Sequence, residues 1–372
     1  IHTRLDPHFS PIPGCGHGSE CFRRALASRI GEISGLAAPH QYGRRDPPGG
    51  MMESTEPRGR RPEDGIAAAD TAGVAMRAGR QVTSLAHGAT ASWLDGGRLF
   101  LQHGPINLIV GAGGAAPAVG GAYRALIGVF PHWLGALVDE LPRLRRAESP
   151  DLAPPAGPVA RRMVAAVRAC AGGFVTPMAA VAGSVADEAA AVLAAQPGIE
   201  HAYVNNGGDI ALHLGPGARL SVGVVPTLRD AIPRARIEIA SDSAVRGVAT
   251  SGWQGRSHSF GIADAVTVLA RRAALADVAA TLVANAVDID HPGIRRESAR
   301  TLNEDSDLGD RPVTVAVPAL DPEAIDAALD AGMRAARTLR NRGVIEGVAL
   351  TLQGRWRVLG TPGSATAAAP LR

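Results

Sequence analysis

The stretch Tyr203-Val204-Asn205-Asn206-Gly207-Gly208-Asp209-Ile210 constrains this chain more than any other. An apolar run enters it at Ala202 to Val204, and a second leaves it at Ile210 to Leu212. Between them stand two amides, two glycines and a carboxylate. Apolar runs bounded by such a cluster read as two strands joined by a tight polar turn. Two readings of the turn are open. It is a hairpin turn in which Asn and Asp bond their own backbone. Or it is a turn whose N–H groups, uncovered where glycine removes the Cβ, cradle a phosphate or let a flat ring approach the main chain.

The rest of the pattern extends the theme of strands adjacent in sequence. Residues 81–91 and 98–102 read as strands joined through Asp95-Gly96-Gly97, and 106–110 resumes after His103-Gly104-Pro105. Residues 123–147 predict a helix in two pieces, broken near Pro131. Residues 159–170 predict an amphipathic helix with Arg161, Arg162 and Arg168 on its polar side. A third helix is expected at 185–195, closed by Pro197-Gly198. The strand at 219–225 is expected to pair with the one before it. Further strands are expected at 236–240, 244–250, 265–271 and 313–317, and helices at 275–287 and 322–339. Residues 288–311 read as an exposed polar excursion, and 344–352 with 355–359 as a closing hairpin around Gly354. Strands in sequence-adjacent sets with helices in blocks predict an α+β domain over 81–360, with a mostly antiparallel sheet and packed helices. Residues 1–80 are expected to be a disordered or mis-assigned extension, with Met51 as the start, and 361–372 a disordered tail.

Composition narrows the chemistry. All 38 basic residues are arginine. Without lysine there is no Schiff-base catalysis and no phosphate loop ending in Gly-Lys-Ser/Thr. The glycine-rich run 111–121 carries no dinucleotide fingerprint. A net charge of +3 over 372 residues implies no nucleic-acid partner. Three cysteines, Cys15, Cys21 and Cys170, argue against a disulfide framework and for a reducing, cytoplasmic setting. Cys15, His17 and Cys21 lack a fourth metal ligand in good spacing. The longest uncharged runs, 99–123 and 169–186, are interrupted by Gly, Pro, Asn, His or Thr and read as buried core and loops, with no membrane span.

Four clusters carry polar chemistry. The first is the turn around Gly207 and Gly208. The second is Gly183-Ser184-Val185-Ala186-Asp187 at a helix start, where N–H groups can face an anion. The third is Ala249-Thr250-Ser251-Gly252, with Arg256 and His258 just beyond. The fourth is Asp277 with Thr281, four apart and so on one helix face. Carboxylate and hydroxyl are hard oxygen donors that suit Mg2+; the competing reading of Asp277 is a solvated helix-start acid.

In this order the clusters resemble the FAD:protein FMN transferase superfamily, the ApbE-like proteins. The resemblance is carried by Gly-x-x-x-Asp at 183–187, Val-Asn-x-Gly-Gly-Asp-Ile at 204–210, Ala-Thr-Ser-Gly at 249–252, the Thr267-Val268 strand and Ala-Asp-x-x-x-Thr at 276–281. It covers residues 160–290, and more faintly 81–360. Gly104-Pro105 and the run 176–183 resemble an uncharacterised branch of that superfamily.

The resemblance implies the family's α+β fold, with FAD across the junction of sheet and helices. Gly183, Asn206, Gly207, Gly208, Asp209, Thr250, Ser251 and Gly252 would line the flavin nucleotide. Asp277 and Thr281 would hold Mg2+ against the pyrophosphate, helped by the backbone carbonyl just before Gly183. His258 would serve as general base or as a donor to a phosphate. The implied activity moves FMN to a Thr or Ser hydroxyl of a flavin-acceptor protein with release of AMP; FAD pyrophosphate hydrolysis and a non-catalytic flavin-binding role are the alternatives. A homodimer is an assembly kept open. This chain departs from the transferase pattern in two places. The longer insert with His-Ile-x-Asp-Pro-x-Thr-Gly is reduced to 253–264, and the family's Lys-Gly is Ala182-Gly183.

Overall fold

The structure is a computed structural model and describes residues 82–228 and 235–360. Strands β1 (Val82–Ser84), β2 (Thr90–Leu94), β3 (Arg98–His103) and β4 (Ile106–Gly114) come first. Helices α1 (Ala116–Asp139), α2 (Leu141–Leu144), α3 (Pro158–Cys170) and α4 (Val181–Ala194) follow. Next come β5 (Ile199–Asn206), β6 (Asp209–Leu214), β7 (Arg219–Val224), β8 (Ala235–Ala240), β9 (Gly247–Ser251) and β10 (Ala265–Ala270). The chain continues through α5 (Ala273–Ala286), β11 (Arg295–Ser298), α6 (Ala299–Leu302), β12 (Pro312–Ala316) and α7 (Pro322–Asn341). It ends on the hairpin of β13 (Gly347–Leu352) and β14 (Arg355–Leu359).

Ten strands form one sheet in the order β1-β2-β3-β4-β5-β6-β9-β10-β13-β14, and every pairing is antiparallel. The α+β expectation with a mostly antiparallel sheet is met. Alternation of side chains assigns the two faces. Ala202 and Val204, Ala211, Ala249, and Val266 and Val268 face the helices. Tyr203, Ile210 and Leu212, Val248 and Leu269 face the opposite way, where the separate β7–β8 hairpin covers them with Val222, Ile237 and Ile239. On the helical face α4 lies over β5 and β6, α5 over β9 and β10, and α7 over β13 and β14 beside α5; α4 and α5 lie against each other, and α3 packs on both. The buried face of α5 is built largely of alanine, so helix and sheet backbones come close. That closeness shapes the site.

Several local expectations are corrected. The strand expected at 81–91 is split, since a single 3-10 turn over Ala86–Gly88 puts His87 at φ 57 and separates β1 from β2; Gln81 lies outside the described residues. Helix α1 runs unbroken through Pro131 and stops at Glu140. Phe130, Pro131 and Trp133 are all buried, and their packing outweighs the roughly 3 kcal/mol cost of an interior proline. Helix α4 begins at Val181, earlier than expected, because a capped 3-10 turn feeds it: Thr176 Oγ1 accepts from Met178 N at 3.3 Å. Strand β7 pairs with β8, not β6, because β9 occupies the free edge of β6 through Ile210↔Val248 and Ala211↔Gly247. The polar excursion at 288–311 contains β11 and α6. Residues 1–80 and 361–372, with Met51, Cys15, His17 and Cys21, lie outside the described residues.

One described stretch, Pro177–Ala194, is long and apolar enough to cross a membrane by length and composition, and half of it is buried inside the molecule. It packs between β5, β6 and α5. Its apolar character is that of a core helix.

Candidate functional site

The expected hairpin is present. Asn206 and Asp209 form the last pair of β5 and β6, and Gly207-Gly208 makes a two-residue turn with φ 66 and 114. Two consecutive positive φ angles are what a tight hairpin of this twist requires, and glycine takes them without strain. The amides around the turn are both employed. Asn205 Oδ1 accepts from Gly208 N at 2.8 Å, so that N–H is already satisfied. Asn206, buried, donates through Nδ2 to the Ala182 carbonyl at 3.1 Å, tying the turn to the first turn of α4.

Gly183 makes the next connection. A Cβ there would stand 2.4 Å from the Ala273 carbonyl oxygen, so only glycine lets α4 meet the start of α5 at this distance. Two carboxylates exploit the approach. Asp277 Oδ2 accepts from Gly183 N at 2.9 Å. Asp187, on α4, accepts from Ala273 N and Ala274 N at 2.9 Å each and so caps a helix other than its own. Thr281 follows Asp277 by one turn on the same helix face.

Asp209 and Asp277 meet across this junction and share a hydrogen bond. Asp209 also accepts from the Thr250 main-chain N–H. Desolvation pushes Asp209 up to about 7 against the lowering effect of Thr250 and Arg256. Asp277 is raised well above the usual carboxylate range by desolvation and then by the Asp209 charge. Asp187 is raised by burial, opposed by its two backbone bonds and by Arg162 and Arg272. Two carboxylates in contact either share a proton or hold a cation between them. The oxygens that meet here are the Asp209 and Asp277 carboxylates, with Thr281 one turn on; the Ala182 carbonyl, on the trans peptide whose N–H meets Asp277, points the other way, to Asn206. Carboxylate and hydroxyl are hard donors, the type that fits Mg2+. Among the described residues no three His, Cys, Asp or Glu side chains gather as a metal centre. A cation on this pair therefore takes its other ligands from hydroxyl, carbonyl, water or substrate.

The remaining expected residues divide. Thr250 Oγ1 lies 2.9 Å from Thr267 Oγ1, so its hydroxyl is engaged between β9 and β10. Ser251 ends β9, half-buried, opposite Val266. At Gly252 a Cβ would stand 2.5 Å from the Asp264 carbonyl, which makes this glycine a close approach of two backbones. The loop after it is tied back by Trp253 N to the Ala263 carbonyl at 3.0 Å. His258 is half-buried, and the segment beside it is anchored at the far end of α5, where Asn285 Oδ1 accepts from Ser259 Oγ at 3.0 Å and from Phe260 N at 2.9 Å. Asn285 is about two turns along the helix from Asp277.

Arg256 and Asp187 stand in the polar clusters of the sequence without an assigned role, and the structure brings both to this junction. The signal for Asp187 was its place in Gly-x-x-x-Asp; the signal for Arg256 was its nearness to Gly252. His87, His103 and His132, scattered in sequence, also come together: His103 Nε2 is 2.9 Å from the His87 carbonyl, and the His87 and His132 rings are 5.2 Å apart. A groove of about 570 Å3, lined by Glu148, Val167, Arg168 and Phe174 among others, contains none of the site residues. Cys170, buried with Sγ 3.9 Å from the Leu275 carbonyl, has its thiol pushed up to about 12 by burial and is no nucleophile.

A UPF0280 protein of Methanopyrus kandleri is 43% identical over 119 residues, which are 32% of this chain and 46% of that protein. A UPF0280 protein of Methanothrix thermoacetophila is 41% identical over 117 residues, 31% of this chain and 48% of that one. The chain spans about half the length of these curated relatives. Among solved structures, the flavin transferase ApbE from Vibrio cholerae aligns over 75% of this chain and 96% of its own, at 13% identity and a TM-score of 0.37. The apo flavinyl transferase ApbE of Pseudomonas stutzeri aligns over 76% and 95%, at 12% identity and a TM-score of 0.35. A family model described as AbpE bacteria matches residues 91–358, well over half of the chain, and the chain belongs to this ApbE-like family.

Proposed function

We propose that this chain binds FAD and Mg2+ where the β5–β6 turn meets the first turns of α4 and α5, and that it is an FMN transferase. The observation that carries the reading is the contact of Asp209 with Asp277, the latter held by the Gly183 N–H. Bound Mg2+ would supply charge neutralisation on the bridging phosphates. Asp277, with Asp209 and Thr281, would present the oxygens for it, while the Ala182 carbonyl is turned away to Asn206. Gly208, with nothing within 4 Å of an added Cβ, leaves room for the nucleotide beside Asp209, Gly183 and Gly207 let α5 and Arg256 come up to it, and Thr250, Ser251 and Gly252 border it. His258 accepts the proton of the acceptor protein's Thr or Ser hydroxyl as that oxygen attacks phosphorus and AMP departs.

A second reading has one observation in its favour. The loop after Gly252 is short and tied back through Trp253 and Asn285. That leaves little chain to receive an acceptor protein, which favours FAD hydrolysis by water or flavin binding without turnover. Incubation with FAD and Mg2+ separates the readings. AMP released only with an acceptor protein supports the transferase, AMP without it the hydrolase, and bound flavin without AMP the carrier. Failure to bind FAD in the presence of Mg2+ removes all three. His258→Gln with undiminished AMP release removes the role given to His258.

A further inference from the structure

Arg256 stands over the diglycine turn. A Cβ on Gly207 would lie 2.4 Å from Arg256 Nη1 and 3.5 Å from its Cζ, so the guanidinium occupies the space that glycine leaves open. Its charge acts on Asp209, and Asp209 is in contact with Asp277. The side chain is nonetheless exposed. A guanidinium offers five N–H donors in a planar fork, and one edge resting on the turn leaves others for solvent or a ligand.

Charge counting points to the ligand. Two ionised carboxylates and one guanidinium sum to about −1, and a divalent cation on the carboxylates brings the cluster to about +1. Such a cluster favours an anion that touches cation and guanidinium together. A phosphoryl group does both, with one oxygen on the metal and another in the guanidinium fork.

We propose that Arg256 is a positioning residue for the phosphates of the substrate, acting beside a divalent cation held by Asp209 and Asp277. This rests on the metal site proposed above but not on the flavin. The plainer role for Arg256 is neutralisation of Asp209 alone, and the two roles differ in sign. A pure neutraliser competes with the cation, so its removal tightens Mg2+ and leaves the phosphate ligand no weaker. A phosphate anchor, when removed, leaves Mg2+ as tight or tighter but weakens Mg2+-pyrophosphate.

Calorimetry on the full chain and on Arg256→Gln and Arg256→Lys tests this, with Mg2+ alone, inorganic pyrophosphate with Mg2+, FAD with Mg2+, and riboflavin. Loss of one charge-assisted contact corresponds to about tenfold or more in affinity. For Arg256→Gln we expect Mg2+ affinity unchanged or raised, Mg2+-pyrophosphate and FAD at least about tenfold weaker, and riboflavin, which has no phosphate, unaffected. Arg256→Lys, which keeps the charge but not the fork, falls between and guards against a folding defect in the glutamine variant. Equal pyrophosphate affinity in all three chains overturns the proposal. So does a loss of Mg2+ affinity in step with pyrophosphate, or absence of pyrophosphate binding by the unaltered chain. If pyrophosphate depends on Arg256 while FAD and riboflavin do not bind, the flavin reading falls and the role of Arg256 stands. If FAD binds all three chains equally, the reverse holds.

Discussion

Asp209 and Asp277 share a hydrogen bond across the junction of α5 with the β5–β6 turn, and a hydrogen bond between two carboxyl groups needs a proton on one of them. Both folded-state values lie above the ordinary 3.8, Asp209 at about 7 and Asp277 well above its usual range. The folded chain then binds more protons than the unfolded chain from about pH 4 up through 7. The pair's contribution to stability is full below the unfolded value and is lost as pH rises through the folded one. A divalent cation replaces the proton and reverses the loss. Thermal melting should show a falling midpoint from pH 5 to pH 8 without metal. At pH 8, Mg2+ at about a hundred times its dissociation constant should restore about 2.7 kcal/mol, and at pH 5 it should add little. Asp277→Asn should remove the metal response and flatten the pH slope. An equal Mg2+ response at both pH values would rule this pair out as the metal site.

Gly183→Ala should destabilise the chain by about 1–3 kcal/mol. The new Cβ meets main-chain atoms of Ala273 and Ala274 at 2.4–2.8 Å, and none of them can swing aside. The two helices must part, which stretches the bond from Gly183 N to Asp277. The matched control is Gly128→Ala. Gly128 is exposed inside α1 with nothing within 4 Å of its added Cβ, and the change should stabilise by about 0.5–1 kcal/mol. Urea unfolding midpoints distinguish the two signs.

What could be read from the sequence was local. The turn from Asn205 to Asp209 announces itself because a hairpin is specified by the residues it contains, and Asp277 with Thr281 share a face because helical spacing dictates it. What could not be read was decided at long range. Pro131 was expected to break a helix and does not, because Phe130 and Trp133 bury the segment. Strand β7 was expected beside β6, and the pairing is decided by β9, which takes that edge. Asp187 looked like part of a helix-start motif, yet its carboxylate serves α5, a partner that no local pattern reveals. Arg256 lies over Gly207 only because of a side chain that glycine lacks, and sequence patterning is blind to such a gap.

Cys170 gives an independent check on the packing of α3. Its Sγ is buried against the Leu275 carbonyl, and burial pushes the thiol up to about 12. At pH 8 the thiolate fraction is then negligible, so the native chain should leave Cys170 unalkylated by iodoacetamide over hours, while the unfolded chain reacts within minutes. Peptide-resolved mass spectrometry separates Cys170 from Cys15 and Cys21. Rapid native labelling of Cys170 would show that α3 does not stay packed on α5.

Asp187 should act on the proposed metal site without touching it. Its two oxygens take the Ala273 and Ala274 N–H groups at 2.9 Å each, which leaves the first turn of α5 fixed directly ahead of Asp277. Asp187→Ala removes both acceptors and should cost about 2 kcal/mol in urea unfolding. Asp187→Asn keeps one carbonyl acceptor and should lose about half as much. If the cap also sets the position of Asp277, the Mg2+-induced rise in melting midpoint at pH 8 should shrink in the same order, unaltered chain above Asn above Ala. Amide exchange at Ala276 to Val278 should quicken in parallel. Retention of the full metal response by Asp187→Ala would mean that the buried face of α5, through Val278 and Val283, holds Asp277 in place by packing alone.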